Sequence, residues 1–195
     1  MGEKFSHRLG FLLAMVCALS LAKPAKAWTY NQATVEGWMA IQLASEDADI
    51  SFNCIGPLST ESASRVLPES LPVHRALTSE RNGIILTLGP DVLPVTARVL
   101  DDVSFAVGLR TLNLPTLSYS EHENVYWTVL GLDQPVFVQS DAGAPIDVQR
   151  SRFFGFRNEI VSQIPVSNGS ELYGRLIEDC RELQAFEASP WLNRP

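Results

Sequence analysis

Eight residues, Arg150-Ser-Arg-Phe-Phe-Gly-Phe-Arg157, concentrate three cations and three aromatic rings in a chain that is otherwise acidic. On an extended strand, Arg150, Arg152, Phe154 and Phe156 share one face, and Phe153 and Arg157 share the other. Guanidinium groups beside aromatic faces suit a carboxylate, phosphate or sugar-acid ligand, through bidentate bonding and stacking. The same spacing also suits a half-buried strand whose arginines pair with acidic neighbours across a sheet. Both readings stand at this level.

Other reactive side chains converge less well. Glu121-His122-Glu123 places three donors in a row, with His74 as a possible fourth. In a strand the two glutamates point away from His122, whereas a metal needs its ligands on one point, so the triplet reads as a polar loop. Asp101-Asp102 could supply a glycosidase pair, but adjacent carboxylates at a turn read as a solvated hairpin tip. There is no Gly-x-Ser-x-Gly elbow. Beyond Lys26 the chain contains no lysine, which removes Schiff-base, Ser-x-x-Lys and P-loop chemistry. No catalytic residue, metal ligand or cofactor is assigned.

The cysteines point to compartment and frame. Lys4 and Arg8 precede an apolar run from Leu9 to Ala22, and Ala25-Lys26-Ala27 is a small-x-small cleavage site. Residues 1–27 are therefore expected to be an export signal, too short in its apolar part to span a bilayer stably. Cys17 leaves with it, and Cys54 and Cys180 remain. In an oxidising periplasm or outside the cell, that pair is expected to form one disulfide. No later segment is long and apolar enough to span a membrane. Removing Lys4, Arg8, Lys23, Lys26 and Glu3 from 15 basic and 22 acidic residues leaves 11 and 21, a net charge of −10. So acidic a surface repels nucleic acid.

The elements that must carry these residues are mostly strands. Ile50, Phe52 and Cys54 alternate with Ser51 and Asn53, turning Cys54 toward a core. Residues 28–44 read as a strand or, from Thr34, a short helix. Ile84–Leu88, Val125–Val129, Val136–Gln139, Ile146–Arg150 and Arg152–Phe156 follow as strand candidates. Val95–Val99 and Val103–Val107 suggest a hairpin about Asp101-Asp102. Leu172, Leu176, Cys180 and Leu183 recur at helical spacing, with Asn168 and Glu171 placed as an N-terminal cap. The expected fold is mainly β, with six to nine antiparallel strands in a sandwich or open barrel. A C-terminal helix is fastened to it through Cys180. One domain spans 28–185, and 186–195 form a tail.

This layout, with a Gly169-Ser170 step opening a terminal helix that carries Cys180, resembles exported proteobacterial proteins of the invasion-associated locus B type. The resemblance covers general organisation, with Gly169 to Cys180 as its motif-like part, and implies a periplasmic or envelope-associated β-rich protein. The expected function is a non-enzymatic binding module for an envelope protein or an anionic ligand. The alternatives are a carboxylate-based hydrolase and an assembly factor without a ligand.

Overall fold

A computed structural model describes residues 28–45, 48–65, 83–94, 102–107, 109–134, 136–137, 144–152, 157–166 and 168–185. The first hairpin shows how local chemistry starts the fold. Strands β1 (Trp28–Val35) and β2 (Trp38–Ser45) pair antiparallel from Trp28↔Ser45 to Val35↔Trp38. Only Glu36 and Gly37 lie between them, both at positive φ, 50° and 81°. Two positive-φ residues form the turn whose twist matches the flanking strands. The helical alternative for this segment is thereby replaced by a strand.

Strand β2 pairs with β3 (Ile50–Pro57), and β3 with β4 (Ile84–Leu88), all five residues of which are buried. A short helix, α1 (Thr60–Ala63), follows β3 and is capped by Ser59, whose hydroxyl accepts from the Ser62 N–H at 3.1 Å. The other strands are β5 (Asp102–Val107), β6 (Arg110–Asn113), β7 (Ser118–Ser120), β8 (Val125–Leu130), β9 (Ile146–Arg152) and β10 (Arg157–Ile164). They complete two antiparallel sheets, of order β1-β2-β3-β4-β8-β7 and β10-β9-β5-β6. The described strands number ten, more than the six to nine expected.

Strand β5 corrects one pairing. It is flanked by β6 on one edge and β9 on the other, so it is not the second arm of a hairpin turning at Asp101-Asp102. Residues 95–101 lie outside the described residues.

One core joins both sheets. Phe52, Leu43 and Leu86 from the larger sheet meet Phe105, Val148 and Ile164 from the smaller one, all nearly or fully buried. The final helix, α2 (Gly169–Ala185), lays Tyr173, Leu176, Cys180 and Leu183 on the same core and packs against β1, β2 and β3. Its apolar stripe is the one the sequence spacing predicts. Cys54 and Cys180 face each other with Cα atoms 5.9 Å apart across 126 residues of chain, within the span of a disulfide. The opposite face of the larger sheet carries a separate apolar cluster of Trp38, Ala40, Ile55 and Ile85, with Trp127 packed on it.

Asn168 does not cap α2 with its side chain. Its carboxamide turns to Trp28, accepting from the Trp28 N–H at 3.0 Å and donating to the Trp28 carbonyl at 3.3 Å. A backbone pair with two unmet polar groups outcompetes the local cap, because both of its groups are satisfied at once. Among the described residues, no helix is long and apolar enough to cross a membrane.

Candidate functional site

Where α2 crosses the β1–β3 face, its inner stripe meets its outer, acidic one. Asp179 and Glu182 are three residues apart, so they stand on neighbouring positions of the helix surface. Beneath them opens a groove of about 350 Å³. Met39, Ile41, Pro57 and Leu183 make its apolar floor, and Gln32, Leu58, Asp179 and Glu182 its margin. Leu58 is one of few large apolar side chains exposed among the described residues, at 44 %.

The close seating of α2 over the floor depends on Gly56. A Cβ at that position would lie 2.5 Å from the Leu183 side chain, so only glycine lets the helix approach β3 this closely. Cys54, two residues earlier on the same face, meets Cys180 one helical turn before Leu183–Gln184. The wall of the groove is thus set by the same contacts that hold the helix.

Asp179 is held in a network. The Tyr30 hydroxyl donates to its Oδ2, and Gln32 Nε2 donates to the same oxygen at 3.1 Å and to the Tyr30 hydroxyl at 3.2 Å. Arg175 lies 3.7 Å from that oxygen and stacks over the Tyr30 ring at 4.6 Å from its centroid. Burial, then the bond to Asp179, pushes the Tyr30 phenol up to about 12, so it remains a proton donor at any physiological pH. Glu182 is exposed and forms no ion pair with another described residue. The groove therefore offers an apolar floor, one hydrogen-bonded carboxylate and one exposed carboxylate. That arrangement suits an apolar group carrying a cation.

A second cavity, of about 340 Å³, lies on the smaller sheet between Phe105, Val107, Leu112 and Val136, with Arg110 and Thr111 at its polar side. Its chemistry is the inverse, with a cation beside apolar walls.

The residues singled out in the sequence fall as follows. Arg150 is buried, 4 % exposed, on the inward face of β9, and bonds Glu159 of β10 at 3.3 Å. Its neighbour across the other edge is Val103. Arg150 is paired across adjacent strands of one sheet. The backbone register pairs Arg152 with Arg157, so the chain changes strands between them. Arg152 closes β9 and Arg157 opens β10. Phe153, Phe154 and Phe156 lie outside the described residues. Glu121-His122-Glu123 forms the turn between β7 and β8, followed by Asn124 at φ 56°. Asp102 opens β5, and His74 and Asp101 lie outside the described residues. Among the described residues, no three His, Cys, Asp or Glu side chains gather as a metal site.

Gln32, Met39 and Leu58 of the groove, and Tyr30, which holds Asp179, are residues that pattern reading missed. The signal available was Asp179 with Glu182, off the apolar stripe of α2 on one neighbouring pair of turns. No protein-family model, curated protein or solved structure matches the chain.

Proposed function

We propose that the protein is an exported, non-catalytic binding module of the cell envelope, periplasmic or secreted. Its groove between α2 and β1–β3 receives a segment of a protein partner that presents an arginine or lysine beside an apolar side chain. The observation carrying this reading is the pairing of an apolar floor with Asp179 and Glu182 at its margin. A cation entering there meets opposite charge in a partly desolvated setting, where such pairs fix orientation more than raw affinity. The apolar neighbour covers Met39 and Leu58, contributing roughly 25 cal/mol for each Å² removed from water. The volume sits near the lower end of ligand clefts, roughly 300–1,000 Å³, which matches side chains rather than a whole domain.

The acidic composition supports a protein or peptide partner over nucleic acid, whose phosphates it repels. The export signal at residues 1–27 and the Cys54–Cys180 pair support an oxidising location. An anionic partner is disfavoured at this groove, although not at the Arg110 cavity.

Fluorescent peptides of alternating leucine and arginine test the reading against leucine–glutamate peptides. The arginine peptide binds in the order of micromolar, as an interface of this size allows. Glu182→Arg and Leu58→Asp each weaken it by about tenfold, or 1.4 kcal/mol. Equal binding of the glutamate peptide, or indifference to both substitutions, overturns the assignment.

A further inference from the structure

We propose that the cavity of the smaller sheet is a second binding site, for a small apolar carboxylic acid. Its tail lies between Phe105, Leu112 and Val136, and its carboxylate meets the Arg110 guanidinium. The cavity shares no lining residue with the groove beside α2, so it is independent of the function proposed there.

The β5–β6 hairpin builds the site. Register pairs Phe105 with Leu112 and Val107 with Arg110. Directly opposed residues, and residues two apart on a strand, share one face of a sheet, so these four line one surface. Phe105 and Val107 are 1 % and 5 % exposed, which turns that surface inward. Leu112 is half-buried, and Arg110, at the turn end, is exposed. Apolar character thus gives way along the face to a cation at the mouth. Val136, itself buried, supplies the remaining apolar wall.

That wall is fixed from behind. Its neighbour Phe137 packs edge-on against Trp28, Phe52 and Tyr173, with centroids 5.2, 5.6 and 5.1 Å apart. The Tyr173 hydroxyl also donates to the Gln134 carbonyl at 3.2 Å. Strand β5 is held on both edges, by β6 and β9. Closing the cavity would pull these contacts apart, so the space is preformed. Its 340 Å³ equals roughly eleven waters at ~30 Å³ each, whereas packed interiors leave few voids larger than one.

The lining selects the ligand class. Each methylene placed among the apolar walls leaves water, which tightens binding about fourfold. A guanidinium carries its N–H donors in a planar fork, and a carboxylate takes only two of them side by side. Arg110 therefore receives the ligand without surrendering every other contact. One cation balances one carboxylate. A phosphate monoester, at about −1.5 to −2, would leave surplus negative charge on a chain whose sequence already carries −7. An amine would face like charge.

Calorimetric titration of the full chain with butanoate, hexanoate, octanoate and dodecanoate, and with octanol and octylamine, tests the assignment. Affinity rises about fourfold per methylene to octanoate and levels off by dodecanoate, once the cavity is full. Octanoate binds about tenfold more tightly than octanol or octylamine. Arg110→Gln weakens octanoate by about tenfold and leaves octanol unchanged, and Arg110→Lys recovers part of the loss. Leu112→Trp fills the space and abolishes binding of both. The Arg110 variants, at an exposed position, keep the test decisive should the Leu112 variant fail to fold. Octanol or octylamine binding as tightly as octanoate, indifference to Arg110→Gln, or no binding at any chain length overturns the assignment. A peptide ending in two leucines that displaces octanoate at lower concentration than octanoate itself also overturns it, in favour of a peptide cleft.

Discussion

Gln184 closes its carboxamide on the main chain of Gly83, donating to the carbonyl at 2.8 Å and accepting from the N–H at 3.0 Å. At the other end of α2, Asn168 treats Trp28 in the same way. The helix is thus joined to the larger sheet by two side-chain amides that imitate strand pairing, with Cys180 between them. The two joints differ in burial, Gln184 being 8 % exposed and Asn168 exposed. Gln184→Ala strands two buried main-chain groups and costs about 2–3 kcal/mol. Asn168→Ala admits water and costs about 1 kcal/mol. Urea midpoints of the two variants check the order, and an equal or reversed ranking contradicts it.

The Cys54–Cys180 pair closes 126 residues of chain. On the chain-entropy account a bond there stabilises by about 4–5 kcal/mol. A protein of residues 28–195, purified without reductant, is expected to show no free thiol when denatured. Reduction lowers its urea midpoint to that of a Cys54→Ser, Cys180→Ser variant. Two reactive thiols in unreduced protein contradict the pairing.

The Tyr30 phenol is raised from 10.0 to about 12 by burial and by Asp179. The folded state holds the proton more tightly than the unfolded chain. Its contribution is fully present below pH 10 and is lost as pH rises from 10 to about 12. Thermal melting should be flat in this respect below that window and fall within it, and Tyr30→Phe should remove part of the fall. Absorbance titration of the phenolate in wild type and variant assigns the group.

Gly56→Ala tests the seating of α2. The added methyl meets Leu183 at 2.5 Å, with the Leu183 carbonyl 3.2 Å away, so helix or strand must shift. Overpacking of this kind costs about 1–3 kcal/mol. Gly174→Ala meets nothing within 4 Å and, on a helix, is expected to stabilise slightly, by about 1 kcal/mol. Calorimetry on the pair separates a steric cause from a general intolerance of the fold.

The short-range parts of this architecture were legible in sequence. Alternation at Ile50, Phe52 and Cys54, and the 4-4-3 spacing through Cys180, each expose one buried face, and the structure buries those faces. The Glu36-Gly37 turn was harder to read, because a glutamate at positive φ is uncommon and no Asn-Gly or Asp-Gly marks it. Asn168 looked like a cap because a cap is local, while its partner Trp28 lies 140 residues away. Arg150 has its acidic neighbour Glu159 on the adjacent strand, a pairing set by register that no local spacing displays. The groove draws on β1, β2, the end of β3 and α2, so no window of sequence contains it.

The most direct measurement is amide chemical-shift mapping of residues 28–195 titrated with the leucine–arginine peptide. Saturable shifts confined to Gln32, Met39, Leu58, Asp179, Glu182 and their neighbours are expected, and Glu182→Arg should abolish them. Shifts centred instead on Phe105, Arg110 and Leu112, or on the Arg150–Arg157 segment, would contradict the assignment of the groove, as would no saturable shift at all.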